Sequence, residues 1–595
     1  MKYVFLCILC IFSSSVFAQQ NYKTPSVLSG GTWGKIGVVR EGIYRIDASM
    51  LVALGFPASV ASNSIGLFGN GGAMLPENNA LPRINDLAEN AIEISDGGDG
   101  VFSGSDFLLF YAPGPHRWIT GSDGVSFSFQ KNLYSDTAFY FITAGPAAGG
   151  SLPRKRIAAA DSLLNPSFFI NSFLDRYARE NPLRNLLSSG KYWVGEAFNN
   201  RFGGTASRTF SLNWAGVLGL DPVRVLTHTT SRSISAPAQF VVSLNGSTLQ
   251  TNLFSPVSGG LLDAFAREIR SASSTSVSGG PLNLQFNYQS ADPGADGWLN
   301  SFSILARRVL QFYDPANEPD NTPGFLRFRD PASVLPADPG AVGEFSIANA
   351  PAGTRVWDVS DSLNPIKMPV SLNGNIARFN NRLNRLREYL AFGPTHTMAP
   401  IALGAVPNHN LHNLPPVHGI IVTHPSLLAQ AQRLADFHLQ QYGFTDAVVT
   451  VNQIYNEFAS GSPDPTAIRD FVKWMVNKSA NTAVQPKYLL LFGAGSFDPK
   501  NRISNNVNLV PVYESNNSLD PLLSFTSDDF FGLIGNTDNI NNLNSPAPLT
   551  IAVGRIPVAT AADAAIMVDK IIRYHSPASL GDWRKEMVFL ADDQD

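Results

Sequence analysis

The sequence predicts a multidomain protein: β-rich, sandwich-like amino-terminal modules followed by a doubly wound α/β domain on a parallel sheet, that last domain truncated. Three observations predict it. The chain has 595 residues, several times the roughly 100–200 residues of one domain. Charged residues make up 15% of it, while 49 Gly and 40 Pro supply turns; an ordinary soluble domain has roughly 25% charged residues. Near residue 415 the texture changes, from short period-two runs between turn residues to apolar strands alternating with helix-length amphipathic segments.

Residues 1–18 read as a secretory signal: Lys2, an apolar stretch over 3–12, and Val16-Phe17-Ala18 before the expected cleavage. The stretch is too short to span a bilayer, and Leu9 before Cys10 is not the small residue a lipoprotein signal needs. Both cysteines, Cys7 and Cys10, fall inside this signal. Residues 19–595 therefore supply no disulfide, no zinc ribbon and no cysteine nucleophile. With 43 basic and 47 acidic side chains the net charge is −4, without a run of like charges, so no nucleic-acid partner is implied.

Residues 19–165 form the predicted amino-terminal β-rich domain. Trp33-Gly34-Lys35-Ile36-Gly37-Val38-Val39 and Glu41-Gly42-Ile43-Tyr44-Arg45-Ile46 alternate around a turn as a hairpin would, a short helix is expected over 49–54, and Phe107-Leu108-Leu109-Phe110-Tyr111 reads as a buried strand. Residues 166–400 continue as one or two β-sandwich-like modules, with strands expected at 210–214, 239–243, 282–286 and 302–305. The Pro-, Asp- and Asn-rich stretch 314–338 reads as a loop or linker.

Residues 401–595 read as the first part of the α/β domain. Ile420-Ile421-Val422 is a strand, 425–442 a helix and 447–451 a second strand. Asp464-Pro465 opens another helix, with Asp as N-cap and Pro where its missing N–H costs nothing; Ile468, Phe471, Val472 and Met475 form its buried face. Strands are expected at 488–492, 549–553 and 587–590, with a helix from Thr560 that carries Asp563 at capping-box spacing. Only five residues follow 587–590, with no helix to cover the sheet, so the sequence is expected to be cut short there. Ligands of such folds sit beyond the carboxyl ends of the strands.

Several motifs carry candidate chemistry. Gly493-Ala494-Gly495-Ser496 follows a strand, but it lacks a third glycine and meets Pro499 before any helix, which argues against a phosphate loop; Phe497 and Asp498 after Ser496 argue against a serine-hydrolase elbow. Asp498, Asp528 and Asp529 are candidate calcium ligands, and Asp528 and Asp529 need a cation or an arginine to offset them. Asp96, Asp99 and Asp106 read either as calcium ligands or as Asx-turn residues. His409, His412, His418 and His424 have no zinc-binding spacing, and His438 continues the apolar face of its helix as a hydrogen-bonded core histidine.

A family resemblance rests on residues from both halves. Asn408-His409-Asn410-Leu411-His412, Ile454-Tyr455-Asn456-Glu457-Phe458, Ala467-Ile468-Arg469, Leu490-Leu491-Phe492-Gly493, Ser496-Phe497-Asp498, Ser527-Asp528-Asp529-Phe530 and Val553-Gly554-Arg555-Ile556-Pro557 resemble the gingipain-type cysteine peptidases, more narrowly the sortases of type IX secretion. Gly42-Ile43-Tyr44-Arg45, Leu67-Phe68-Gly69-Asn70-Gly71-Gly72, Asp86-Leu87-Ala88-Glu89-Asn90 and Pro113-Gly114-Pro115-His116-Arg117-Trp118 resemble the same proteins.

The resemblance implies an exported protein of the outer-membrane surface that removes C-terminal sorting domains from secreted cargo and couples the cargo to surface lipopolysaccharide. It also implies outer-membrane type IX components as partners. No cofactor is required; a structural calcium is the one candidate, offered by the loop carboxylates, and the charge pattern points to no nucleic acid. The family's catalytic His, in a Gly-His-Gly context, and its Cys have no counterpart here. Asp592 or Asp593 is the candidate acid assisting that His. The chain as given is therefore expected to be inactive. The alternative is a non-catalytic surface adhesion or assembly module that keeps the fold.

Overall fold

A computed structural model describes residues 24–590 apart from 85, 146–151, 202, 220, 278, 320–323, 543 and 545–546. The predicted signal over 1–18 and the candidates Asp592 and Asp593 lie outside the described residues. Among the described residues no helix is long and apolar enough to cross a membrane.

The amino-terminal part pairs residues far apart in sequence. Trp33–Val38 lies antiparallel between Ala138–Ala144 and Ile401–Val406, and Ile65–Phe68 and Glu89–Asn90 extend the same sheet. Gly42–Asp47 instead pairs with Phe107–Ala112 in a second sheet. The predicted hairpin is thus corrected: its two arms separate into two facing sheets, which lets Ile36, Tyr44, Leu67, Phe110 and Tyr140 share one core. The short helix is found at Ala48–Ala53, capped by Asp47, whose carboxylate accepts from the Met50 amide at 2.9 Å.

Two further β sandwiches follow. In the first, a sheet containing Val223–Arg232 and Asp296–Val309 faces one containing Ala238–Leu244 and Leu282–Ser290, around Phe240, Phe286 and Phe302. In the second, Phe328, Phe345, Phe379 and Tyr389 fill the space between two smaller sheets. The stretch 314–338, expected to be loop, contributes the strand Leu326–Phe328, held antiparallel to Tyr389–Phe392.

In the α/β part, β1 (Gly419–Thr423), β2 (Asp446–Thr450), β3 (Tyr488–Phe492) and β4 (Ala552–Ile556) form a parallel sheet in the order β2-β1-β3-β4. Side chains alternate across it. Ile420, Val422, Val449 and Leu491 pack against helices α2 (Val451–Phe458) and α3 (Pro465–Ser479). Ile421 and Phe492 face α1 (Leu428–Tyr442) and α4 (Ala561–Tyr574) on the other side. Helices on both faces are what a parallel sheet requires.

The caps follow the sequence: Asp464 accepts from Thr466 N at 2.8 Å with Pro465 at N1, and Thr560 caps α4. Helix α2 was not expected, although Thr450 and Gln453 form a capping box at its start. The strand expected at 549–553 lies three residues later, at β4.

Residues 587–590 join none of the described strands, which corrects the fifth strand: Met587, Val588, Phe589 and Leu590 are 82–96% exposed. An apolar run becomes a strand where a neighbouring ladder and a covering layer bury it, and among the described residues neither reaches this one.

Candidate active site

The carboxyl ends of the four strands bring Thr423, Thr450, Phe492 and Ile556 to one edge of the sheet. Gly493 leaves β3 with φ 151°, and its amide donates to Ile556 O at 2.9 Å, while Ala494 N donates to Val558 O at 2.9 Å. Thr423 Oγ1 donates to Phe492 O at 2.9 Å. The first turns beyond β1, β3 and β4 are therefore tied to one another.

Arg555 organises the rest of this edge. Its Nη1 donates to Gly493 O and Val510 O, both at 2.8 Å, and its Nη2 to Pro511 O at 2.9 Å. Nε and Nη2 grip Asp528 in a bidentate pair at 2.7 Å, the fork geometry for which a guanidinium is suited. In the sequence Arg555 stands out only as part of Val553-Gly554-Arg555-Ile556-Pro557. Its role was foreshadowed by the requirement that something offset Asp528 and Asp529.

Asp498 is fully buried. Arg502 Nε donates to it at 2.8 Å and Ile503 N at 2.8 Å, and it also accepts from Arg502 N. Burial raises the carboxyl, but Arg502 and the loop amides outweigh burial and hold it below the ordinary carboxylate range. Asp529 is exposed and begins a short 3-10 turn.

The three candidate calcium ligands are thus not gathered: two are taken by different arginines and the third faces solvent. Among the described residues no group of three or more His, Cys, Asp or Glu is placed to hold a metal ion. Asp96, Asp99 and Asp106 likewise accept from nearby loop amides, Gly98, Val101 and Ser103, at 3.1, 2.8 and 2.8 Å.

The histidines have separate tasks. His424 accepts from Ser426 N at 3.2 Å at the turn beyond β1, and His418 lies with its Nδ1 3.0 Å from Thr445 Oγ1. His438 Nδ1 is 2.6 Å from Asp446 Oδ2 at the rim of α1, with 30% of its side chain exposed. His409 and His412 are buried beside Glu457.

Residues from the amino-terminal half reach this edge, which the sequence did not signal. Gly190 N donates to Glu514 Oε2 at 2.6 Å, Lys191 N to Ser515 O at 3.0 Å, and Tyr192 N to Ser518 Oγ at 2.9 Å. Trp193 stacks on Phe497 with centroids 5.8 Å apart, and the Arg502 guanidinium lies 3.5 Å from the Trp193 ring. The loop that contains Asp498 is therefore held between the sheet and the central region.

Residues 412–595 match the profile of Peptidase family C25. The α/β unit is a gingipain-family peptidase domain. The crystal structure of dimeric latent PorU from Porphyromonas gingivalis is similar to 95% of this chain at 26% identity and a TM-score of 0.78. The chain spans 51% of that PorU chain, about half its length.

The fold is accordingly PorU-like throughout, in the β-rich modules as well as the C25 domain. A second similarity, to the C-terminal CBM6 of LamC from Zobellia galactanivorans, covers 22% of this chain and 98% of that one at 14% identity and a TM-score of 0.13. No curated protein matches.

Proposed function

We propose that the chain belongs to an exported, PorU-like cysteine peptidase of the outer-membrane surface, which removes C-terminal sorting domains from type IX cargo and transfers the cargo to surface lipopolysaccharide. The observation that carries this reading is the C25 match over 412–595 together with similarity to PorU across nearly the whole chain, β modules included. A peptidase domain alone would support hydrolysis; the shared β modules favour the narrower reading.

In the proposed reaction a cysteine thiol adds through sulfur to the scissile carbonyl, the C–N bond breaks, and the sorting domain leaves as an amine carrying the proton the thiol gave up. An amine of the surface acceptor then attacks the thioester, its proton passing to the departing sulfur, which restores the thiol and forms a new amide. The thiol is not among residues 19–595, which contain no cysteine. The contribution of the described residues is positional: Arg555, Asp528 and Asp498 fix the loops at the carboxyl edge of the sheet, where an open α/β fold binds its ligands.

The test uses the complete gene product and a secreted reporter that ends in a sorting domain, with mass spectrometry of the reporter's new carboxyl terminus. Cleavage with an acceptor adduct is expected. An intact reporter overturns the reading, and cleavage that yields only a free carboxylate reduces it to hydrolysis.

A further inference from the structure

Glu457, near the end of α2, is fully buried, and both of its carboxyl oxygens accept from the Leu411 amide, at 2.9 and 3.1 Å. Two imidazoles lie against it: His409 Nε2 is 3.8 Å from one oxygen and His412 Nε2 3.8 Å from the other. Across the His412 ring, Nδ1 stands 3.9 Å from Asp86 Oδ2. None of these four side chains is more than 6% exposed.

Asp86 has φ 106°, in the region a non-glycine residue occupies only when its surroundings hold it there. Its carboxylate accepts from Val27 N at 2.7 Å, Leu87 N at 2.8 Å and Ser26 Oγ at 3.3 Å.

Three segments meet at this cluster: residues 26–28 with 86–87 from the first module, residues 409–412 leading into the C25 domain, and α2. Ser26 N donates to Asn410 Oδ1 at 3.1 Å and His409 N to Leu28 O at 3.1 Å. Two cations face it from other elements, and each has its own acceptors. Lys35 Nζ donates to Asn456 Oδ1 at 3.1 Å and Lys478 Nζ to His412 O at 2.9 Å.

With both carboxyls ionised and both imidazoles neutral, the cluster would hold two negative charges away from water, and one resident proton halves that charge. We propose that Asp86, His409, His412 and Glu457 form a proton-operated latch between the first β module and the C25 domain, closed while one proton resides in the cluster and released as pH rises.

The direction follows from burial. It raises the Glu457 carboxyl to about 8 from an ordinary 4.5, and it lowers His409, so between these two the carboxyl is the favoured seat of the proton. The closed state thus binds a proton that the open state loses near pH 4.5. Below the ordinary imidazole value of 6.5 the lowered His409, which gains a proton more readily in the open state, offsets this gain; above it closure weakens by up to about tenfold per pH unit and has lost the benefit once pH passes the closed-state value.

Amide hydrogen exchange on the full chain tests this. Opening constants for the amides of Val27, Leu87 and Leu411 are measured from pH 6.5 to 8.0, corrected for intrinsic exchange, with Leu491 in β3 as the reference. The three amides are expected to open progressively more with pH, up to about tenfold per unit, and the rise is expected to vanish in Glu457→Gln. Opening that is independent of pH in the wild type overturns the latch, as does a rise that persists in Glu457→Gln. Glu457→Asp serves if the amide variant does not fold: it keeps the proton site and should keep the rise, and a flat profile counts against the latch.

Discussion

Lys191 and Glu77, 114 positions apart, close to 2.5 Å between Nζ and Oε1. The pair lies where the first β module, the central region and the C25 domain meet. The ammonium is 4.0 Å from the centroid of Tyr513, whose hydroxyl donates to Glu77 Oε2 at 3.2 Å, and Arg469 Nη2 donates to Glu77 O at 2.7 Å. The two partners are unequally buried, the lysine side chain being 5% exposed and the glutamate 33%.

That inequality predicts an asymmetry between variants. Glu77→Gln leaves a buried ammonium without its counter-charge and should cost about 3 kcal/mol, the lower end for breaking a buried pair. Lys191→Met removes the buried charge instead and leaves a carboxylate that water can reach, so it should cost clearly less. Denaturant unfolding of both variants checks the order, and equal losses would mean that burial does not set the energetics of this pair.

Arg555→Lys should behave as a disruptive change. An ammonium cannot reach Gly493 O, Val510 O, Pro511 O and both oxygens of Asp528 at once. Carbonyls left unpaired in a buried setting cost about 1–3 kcal/mol each. The expected signature is local: faster amide exchange over 493–511 and around Asp528, with α1 and β1 little changed. Uniform acceleration across the domain would argue against a local tie.

What could be read from the sequence, and what could not, follows from how far each signal reaches. The 3.6-residue spacing of Ile468, Phe471, Val472 and Met475 and the Asp464-Pro465 start are local, and α3 lies where they indicated. The partners of Trp33–Val38 are a hundred residues or more away, so the neighbouring strand looks like a hairpin arm in the sequence when it belongs to another sheet. The same holds at the site. Asp498 and Asp528 were legible as carboxylates in loops, but the arginines that take them were not: Arg502, four residues from Asp498, sits in an irregular loop with no periodicity to pair the two, and Arg555 reaches Asp528 from β4 only through the tertiary fold.

Calcium offers a direct check on that placement. With Asp498 and Asp528 committed to guanidinium groups, adding millimolar calcium or EDTA should leave the thermal unfolding midpoint unchanged. An upward shift with calcium that is abolished in Asp498→Asn would restore the metal reading for that loop.

Asp464 predicts a pH dependence. Burial raises its carboxyl to about 6 although Leu75 N and Thr466 N both donate to it. An acid whose folded value lies above its unfolded value stabilises fully below the unfolded value, 3.8 here, and that contribution is lost as pH rises through about 6. The loss amounts to about 3 kcal/mol for a shift of this size. Asp464→Asn, still a good N-cap, should flatten the stability profile between pH 4 and 6. An unchanged slope would place the titration on another group.

His116 predicts the opposite slope at the other face of the junction. Its Nδ1 accepts from Asn132 N at 3.0 Å, which requires an unprotonated nitrogen, and Lys500 is anchored beside it on Asn132 O at 2.6 Å and Asp136 at 2.7 Å. Burial, then the Lys500 charge, lowers the imidazole to about 4 against the opposing pull of Asp136. The folded state therefore binds fewer protons than the unfolded one. Its contribution is full above the ordinary 6.5 and is lost as pH falls through about 4. An NMR titration of the ring should show a midpoint near 4, moving upward in Lys500→Met as that charge is removed. A midpoint near 6.5 in the wild type would mean that the Asn132 contact does not hold the ring neutral.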